Sequence, residues 1–562
     1  MKAEFLKNKY VRLTLALLCF VLIMFAVFYI FLPPLNIYSK GFWVYLIFGT
    51  LLLTALLGLF MYRDVFMQVN RAKNGKTSYK IIFQKTLPGK ILLGIAGGFL
   101  AILILGAIVS STLFNARRYA GVIKVSDRDF ATDMPRTNEI TNIALLDTES
   151  AAILGTRKLG ELSDVVSQFV VSGSYRQINY RSIPKKVASL EYDGFFKWLN
   201  NKDSGVPGYI MVDAVNNYAE YVPLPSGEGI RYTESAYFSQ DLERALRFSY
   251  PTKIFGNISF EVDESGKPYY VVACMRPKVG LFGAMDVSEV ILFDPVDGTH
   301  TLLALDEVPS WIDNVYDGTL ACEKYDWQGK LAGGFFNSIF AKRGCKQTTD
   351  DFGYLMLEDD VWYFTGVTSV SDDASNIGFI LSNARTGEYK YYAVNGAEEH
   401  SAMGAAEGEV QEKRYTASFP ALVNIAGEPS YIMVLKDDNG LVKLYALVNV
   451  EQYNIVATGE TQAEAITAYT RLLSQAGIDT SDSTSARSET VTVSDIRYLS
   501  VSGGTRVYIT AVAASGEELV YRMEFSEKAE PLLLVGAGDR LTVASIPTED
   551  ERIREILDFT LE

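Results

Sequence analysis

Residues 13–32 read LTLALLCFVLIMFAVFYIFL, a run of twenty residues without a charged side chain. At a rise of about 1.5 Å per residue, a helix of this length matches the hydrocarbon core of a bilayer, about 30 Å thick. Two further uncharged runs of spanning length follow at residues 42–62 and 91–114. The sequence therefore predicts three transmembrane helices that anchor the chain in a lipid bilayer.

The first run also has the basic N-terminal flank of a signal peptide. No small-residue cleavage site follows it, and Pro33 and Pro34 lead directly into the second run. We therefore expect the first helix to be retained.

The distribution of Lys and Arg predicts the orientation. Four basic residues precede the first run and seven lie between the second and third, whereas the first loop has only Lys40. Short loops rich in Lys and Arg stay on the cytoplasmic side. This predicts a plasma-membrane protein with a cytoplasmic N-terminus and residues 115–562 outside, although Arg117 and Arg118 count against it.

Composition separates the chain into two parts. The 562 residues carry a net charge of −15, of which residues 1–114 contribute +10 and residues 115–562 contribute −25. Hydrophobic residues make up 48% and charged residues 21%, which excludes a highly charged disordered chain. The acidic outer region also argues against nucleic-acid binding.

Three segments of the outer region share a proline followed by aromatic and β-branched residues. A proline at the start of a strand is tolerated because its missing N–H need not join the ladder, and the residues after it suit a buried strand. We predict that these segments are diverged copies of one unit. Their strands start at Pro207 and Tyr209, at Pro268 and Tyr270, and at Pro429 and Tyr431.

Two further strands run into turns, at residues 294–298 and 383–387. A Tyr-Val-Val strand followed by a strand that ends in an Asp-x-x-x-Gly or Arg-Thr-Gly turn resembles the hairpin of PepSY-type domains. The resemblance covers about 40 residues per copy at most. It implies small α+β modules of the bacterial cell envelope that bind or restrain partners without doing chemistry themselves.

Helices are predicted between the strands. Residues 462–476 follow a capping-box spacing of Thr461 and Glu464, and Gly477 marks the end. Residues 236–246 and residues 148–170 are the other two predictions, the second with Asp147 as N-cap.

The predicted fold class is membrane-anchored α+β, with three N-terminal transmembrane helices, an extracytoplasmic region of repeated β-hairpin and helix modules, and a small C-terminal β-barrel. Residues 479–490 are polar and lack a period, so they are predicted to be a linker. The predicted barrel is OB- or SH3-like and carries a C-terminal helix. The predicted units are an anchor (1–114), a membrane-proximal α/β segment (115–204), the repeated modules (205–478), the linker (479–490) and the barrel (491–562).

Few side chains suggest catalysis. His300 and His400 are the only histidines, which leaves little material for a histidine base or a multi-histidine metal site. The carboxylates at 359–360 and 372–373 are candidates for a glycosidase-like pair, but their clusters are more typical of loops. We therefore predict no catalytic, metal or cofactor-binding residues.

Cysteines and glycines give two structural predictions. Cys322 and Cys345 could form one disulfide, since both lie outside the spans. Gly94 and Gly98 have the small-xxx-small spacing that lets helices approach closely, so the third helix could pair with a partner or a second copy.

These observations favour a cell-envelope binding or scaffolding protein whose modules engage a protein or a wall component. The alternative is a carboxylate-dependent hydrolase of wall glycan, which the abundance of Asp and Glu supports.

Overall fold

A computed structural model describes residues 9–61, 67–71, 77–81, 86–136, 143–349, 351–370, 375–478, 480, 487–501, 504–513, 516–525, 527–547 and 552–561. Several predictions fall outside these residues: Lys2, Lys7, Arg63, Lys73, Lys76 and Lys85 of the orientation argument, the pair Asp372 and Asp373, and most of the predicted linker.

Three N-terminal helices are long and apolar enough to cross a membrane, which confirms the three predicted apolar spans. They are Lys9–Phe31, Lys40–Met61 and Leu87–Val109, and the strands Met67–Arg71 and Thr77–Ile81 pair between the second and third. The third helix ends earlier than its apolar run because Ser111 adopts an extended backbone, with φ −71° and ψ 156°. A separate exit helix, Thr112–Ala120, follows.

Four sheets form most of the large α+β region, and in each the strands pair in chain order. In three of the sheets the first position is occupied by two short strands, and both of them pair with the second strand. Sheet I contains Phe169–Val171 with Arg176–Tyr180, then Ile183–Tyr192, Gly208–Asp213 and Tyr218–Pro223. Sheet II contains Ile254–Val262, Pro268–Val279, Gly283–Phe293 and His300–Ala304.

Sheet III contains Lys346–Thr348 with Gly353–Leu357, then Asp360–Ser369, Gly378–Asn383 and Tyr389–Tyr392. The strand Val125–Arg128, which comes earlier in the chain, pairs in parallel with Tyr389–Tyr392 at the edge of this sheet. Sheet IV contains Thr416–Ala417 with Ala421–Ile425, then Glu428–Lys436, Val442–Asn449 and Val456–Gly459. The strands Ser375–Asn376 and Gly396–Ala397 form a further small pair.

Helices lie between and beside the sheets. The α-helices are Phe130–Asp133, Thr148–Gly160, Ser163–Val166, Phe195–Asn201, Leu242–Ser249, Gly318–Leu331, Glu399–Glu409 and Gln462–Gln475. Short 3-10 segments cover Phe238–Gln240, Leu305–Glu307, Gln411–Lys413 and Glu527–Leu534, and a π-helical turn covers Asn337–Ala341.

Two local turn types shape the sheets. In sheets I, III and IV a two-residue turn with positive φ at both positions joins the first and second strands, as type I′ hairpins require. The pairs are Arg181–Ser182, Glu358–Asp359 and Ala426–Gly427.

The third strand of every sheet ends at a buried Asp or Asn. Its side-chain oxygen accepts backbone N–H groups two or three residues ahead, which forms an Asx turn. These residues are Asp213, Asp294, Asn383 and Asn449.

The proline-aromatic strands occupy different positions. The strand after Pro207 is the third of sheet I, whereas those at Pro268 and Pro429 are the second of sheets II and IV. The predicted equivalence of Pro207 with the other two is therefore wrong, because an apolar run of this kind suits any strand buried on both faces. Common descent of the four sheets stays a prediction.

The helix predictions differ in accuracy. Gln462–Gln475 confirms the capped helix, and the Thr461 side chain accepts from the Glu464 amide at 3.1 Å. Asp147 caps its helix as predicted, but that helix ends at Gly160. The chain then forms a short helix and the first strand of sheet I, so residues 148–170 are not one helix. The helix predicted at residues 236–246 begins and ends later in the chain, at Leu242–Ser249.

The C-terminal part consists of five strands whose pairings close on themselves. They are Arg487–Val501, Gly504–Ala513, Glu518–Glu524, Arg540–Pro547 and Ile553–Leu561. The predicted C-terminal helix is wrong, because Ile553–Leu561 pairs with two strands. The first strand also begins inside the predicted linker, and sheet I crosses the predicted boundary at residue 204.

Candidate functional site

The large region is fastened to one end of the helices. The Leu35 amide, in the loop between the first two helices, donates to the Pro251 carbonyl at 2.7 Å. The Ser110 hydroxyl, just after the third helix, accepts two backbone N–H groups of the turn 280–283 at 2.8 and 3.0 Å. Sheet II and its neighbouring loop therefore lie where the first helix ends, the second begins and the third ends.

Two cavities lie on either side of segment 144–150, where sheets I, III and IV meet. Their volumes are about 280 and about 270 Å³, and Leu146 lines both. Pockets for drug-sized ligands start near 300 Å³, so each cavity suits a side chain or a single sugar-sized group. The first is lined by residues 144–148, Gln177, 351–354 and 419–421, and the second by Leu146, Ser150, Leu154, Asn217, 440–443, Tyr445 and Glu460.

Lys186 is the more deeply buried of two lysines at this junction, with 1% of its surface exposed against 8% for Lys436. Its ammonium lies 3.5 Å from the Thr148 hydroxyl and 4.6 Å from the ring centre of Tyr354, and both of these residues line the first cavity. Burial lowers the pKa of Lys186 to about 8, although the charge of Asp147 raises it. A desolvated positive charge thus lies behind the wall of the first cavity, in contact with two residues that line it.

Asp147 connects the junction helix Thr148–Gly160 to sheet IV. Its carboxylate accepts from the Ser150 amide and from the Lys436 ammonium, each at 2.7 Å. Burial alone would raise the pKa of Asp147, but these two hydrogen bonds hold it below its ordinary value. Asp147 is therefore a fixed anion rather than a proton donor.

Asp351 is the second carboxylate of the first cavity, and it is exposed. Its carboxylate accepts from the Phe352 amide at 2.8 Å. One fixed and one exposed carboxylate beside a buried cation can bind hydroxyl and amine groups through hydrogen bonds and charge.

The carboxylates predicted at 359–360 have structural roles. Asp359 belongs to a type I′ turn, and its carbonyl accepts from the Asn179 side chain at 2.8 Å. Asp360 pairs with the Arg385 guanidinium through two contacts of 2.7 Å. These contacts account for both residues as parts of the fold.

Glu261 and Asp313 form a buried acidic pair that the sequence did not reveal. Glu261 accepts the backbone N–H groups of Asp313 and Asn314 at 2.8 and 3.1 Å, and Asp313 accepts that of Asn179 at 2.6 Å. Burial raises the pKa of Glu261, while burial and the charge of Glu261 raise that of Asp313. The pair joins sheets I and II and the loop before helix Gly318–Leu331.

The predicted strand-start tyrosines are core residues. Tyr209, Tyr270 and Tyr431 are at most 2% exposed. The Tyr209 hydroxyl donates to the Gly266 carbonyl at 2.9 Å, and that of Tyr431 donates to the Ala397 carbonyl at 3.1 Å. These residues hold neighbouring parts of the fold together and line neither cavity.

Gly94 and Gly98 face open space, since a methyl group added at either would meet nothing within 4 Å among the described residues. The second and third helices therefore do not use this spacing to pack together. Cys322 and Cys345 are both free, so the predicted disulfide is not formed. The Cys345 thiol lies 3.4 Å from the Asn337 side-chain amide.

A sequence signal for Lys186 did exist. Lys185 and Lys186 are consecutive charges directly before the apolar residues Val187 and Ala188, which is unusual for a strand buried on both faces. No family model matches this chain, and no curated protein matches it. The candidate site therefore rests on the geometry of the junction alone.

Proposed function

We propose that this chain is a membrane-anchored binding protein of the cell envelope, in which the junction cavities receive side chains or sugar groups of a protein or wall component. The observation that carries the proposal is the pair of cavities at segment 144–150, each too small for a large cofactor. Interfaces commonly place anchor side chains in such pockets.

The proposed orientation puts the N-terminus in the cytoplasm and the four sheets outside. The excess of Lys and Arg in the second loop supports it. The large region is fastened to the end of the helices that carries the first loop, which has only Lys40 as a basic residue. This attachment agrees with the proposed orientation.

We also propose that the four sheets are diverged copies of one unit, supported by their shared strand order and Asx turns. The C-terminal ring of strands is proposed to be an OB- or SH3-like structural cap. The open Gly94 and Gly98 face is proposed to pair with a partner helix or a second copy.

Photo-crosslinking on intact cells tests the binding function. A benzophenone amino acid replaces Asp351 at the first cavity in the tagged full chain, and Tyr453 in the matched control. Tyr453 lines neither cavity and is 57% exposed. We expect a crosslinked product of reproducible mass from position 351 only. Equal products from both positions, or none from either, would refute the proposal.

The wall-glycan hydrolase is the second candidate, and one observation favours it: Asp147 and Asp351 line the same cavity. Such an enzyme needs one carboxylic acid and one carboxylate. The control is Asp438→Asn at an exposed turn position. This candidate replaces the first if the purified full chain cleaves wall glycan and both Asp147→Asn and Asp351→Asn abolish cleavage while Asp438→Asn does not.

A further inference from the structure

Apolar side chains surround the end of the third helix. In the exit helix Leu113 and Phe114 are 44% and 65% exposed. After a kink at Asn115 the chain turns inward, since Ala116 and Tyr119 are buried and Tyr119 packs edge-on against Trp327 at 5.2 Å. Leu113 and Phe114 thus face away from the protein within five residues of a membrane-spanning helix.

A second group of apolar side chains follows helix Gly318–Leu331. Leu331 and Phe335 pack in the same cluster as Tyr119 of the exit helix. Phe336, directly before the π-helical turn, and Ile339 and Phe340 within it are 67%, 53% and 78% exposed. Together with Leu113 and Phe114 these three residues form what we call the exit patch.

A separate group adjoins the end of the first helix. Phe248 packs edge-on against Phe28 at 5.6 Å and remains 47% exposed. The Arg244 guanidinium lies 4.3 Å from the ring centre of Tyr29 and donates to the Phe238 carbonyl at 2.7 Å.

The aromatic side chains continue outward from there. Trp198 contacts Phe238 at 5.7 Å, and Phe196 of the same short helix is 75% exposed. We call Phe195, Phe196, Phe238 and Phe248 the first-helix patch.

Exposed cations flank the exit patch. Arg117 and Arg118 follow Phe114, and Lys342 and Arg343 follow Phe340. The region beyond residue 114 carries a net charge of −25, so this local excess of positive charge is the reverse of the average. Aromatic rings beside Arg and Lys match the boundary between acyl chains and anionic headgroups.

We propose that the exit patch and the first-helix patch lie in the headgroup–acyl boundary of the protein's own bilayer, so that the large region rests on the membrane at two points. The continuity of both patches with the ends of membrane-spanning helices identifies lipid as the occupant. This inference goes beyond the proposed binding function and holds for either orientation of the chain.

Depth-dependent fluorescence quenching tests the proposal. The full chain is reconstituted in vesicles that mix phosphatidylcholine with phosphatidylglycerol. An NBD dye is attached at Phe340→Cys, at Phe196→Cys and at the control Tyr453→Cys, and wild-type protein treated identically gives the background from native cysteines. The melting temperature of each labelled variant confirms that it is folded.

Lipids with a doxyl group on the acyl chain should remove about half of the fluorescence at positions 340 and 196, as expected for a group 5–10 Å into the boundary. Position 453 should be unaffected. Quenching at neither patch, or at one alone, overturns the proposal. Absence of quenching is also what we expect if the patches bind a membrane protein instead of lipid, because these vesicles contain no other protein. That outcome likewise counts against lipid as the occupant.

Discussion

The ammonium group of Lys186 is enclosed where three sheets meet. Between pH 8 and pH 10.5 the unfolded chain still holds the lysine proton that the folded chain has lost, so the free energy of unfolding rises with pH in this window. Below pH 8 both states are protonated and the full desolvation cost remains.

Lys186→Met should therefore raise the stability of the full chain in detergent at pH 7, by about 1–3 kcal/mol, because an apolar side chain of similar length carries no desolvation cost. The rise between pH 8 and pH 10.5 should shrink. Melting temperature against pH measures both effects. Lys185→Met is the matched control, and it should destabilise, since it removes the partner of buried Asp213 at 2.8 Å. A lower melting temperature for Lys186→Met would contradict this account.

At the same scale, local rules predicted Asp147 as an N-cap, since capping depends on neighbours in sequence. The surroundings of Lys186 and the Glu261–Asp313 pair could not be predicted, because they depend on which sheets meet, and that is decided by contacts between segments distant in the chain.

Among elements, the Asx turn at the end of each third strand stabilises its hairpin. Asp294→Ala removes the acceptor of the Val296 and Asp297 N–H groups together with the ion pair to Lys267, and should cost about 1–3 kcal/mol. Asp294→Asn keeps the acceptor and loses only the ion pair with half-exposed Lys267, so it should cost less. Thermal melting compares the two, and equal losses would mean that the turn contributes nothing.

The contact between the third helix and turn 280–283 gives another element-scale prediction. A methyl group on Gly106 would lie 2.7 Å from the Phe282 ring, whereas one on Gly98 would meet no described residue within 4 Å. Gly106→Val should therefore displace the turn and speed amide exchange of residues 279–283, and Gly98→Val should not. Hydrogen-exchange mass spectrometry of the full chain in nanodiscs measures this. Identical exchange in both variants would show that the helix does not hold the turn.

The lengths of helices could be predicted where a continuous run of apolar residues or a capping pair of residues marks them in the sequence. The three apolar runs and the capped helix at 462–475 are examples. The helix predicted over 148–170 failed because its C-terminal part pairs with Ile183–Tyr192 to build sheet I, and tertiary pairing outweighed helical spacing. Pro207 was misplaced among the proline-aromatic strands for another reason, since an apolar run suits any strand that is buried on both faces.

On the scale of the whole molecule, we propose that the large region lies outside the cell, fastened where the first helix ends, the second begins and the third ends. Charge asymmetry and apolar runs predicted the anchor. The meeting of sheets I, III and IV could not be predicted, since strands buried on both faces lack the alternation that would assign their neighbours.

Labelling of intact cells with a membrane-impermeant maleimide tests this claim most directly. Tyr453→Cys reports on the large region and Ser78→Cys on the loop between the second and third helices, with wild-type protein as background. We predict that position 453 is labelled in intact cells and position 78 only after permeabilisation. Labelling of position 78 in intact cells, with position 453 protected until permeabilisation, would contradict the account.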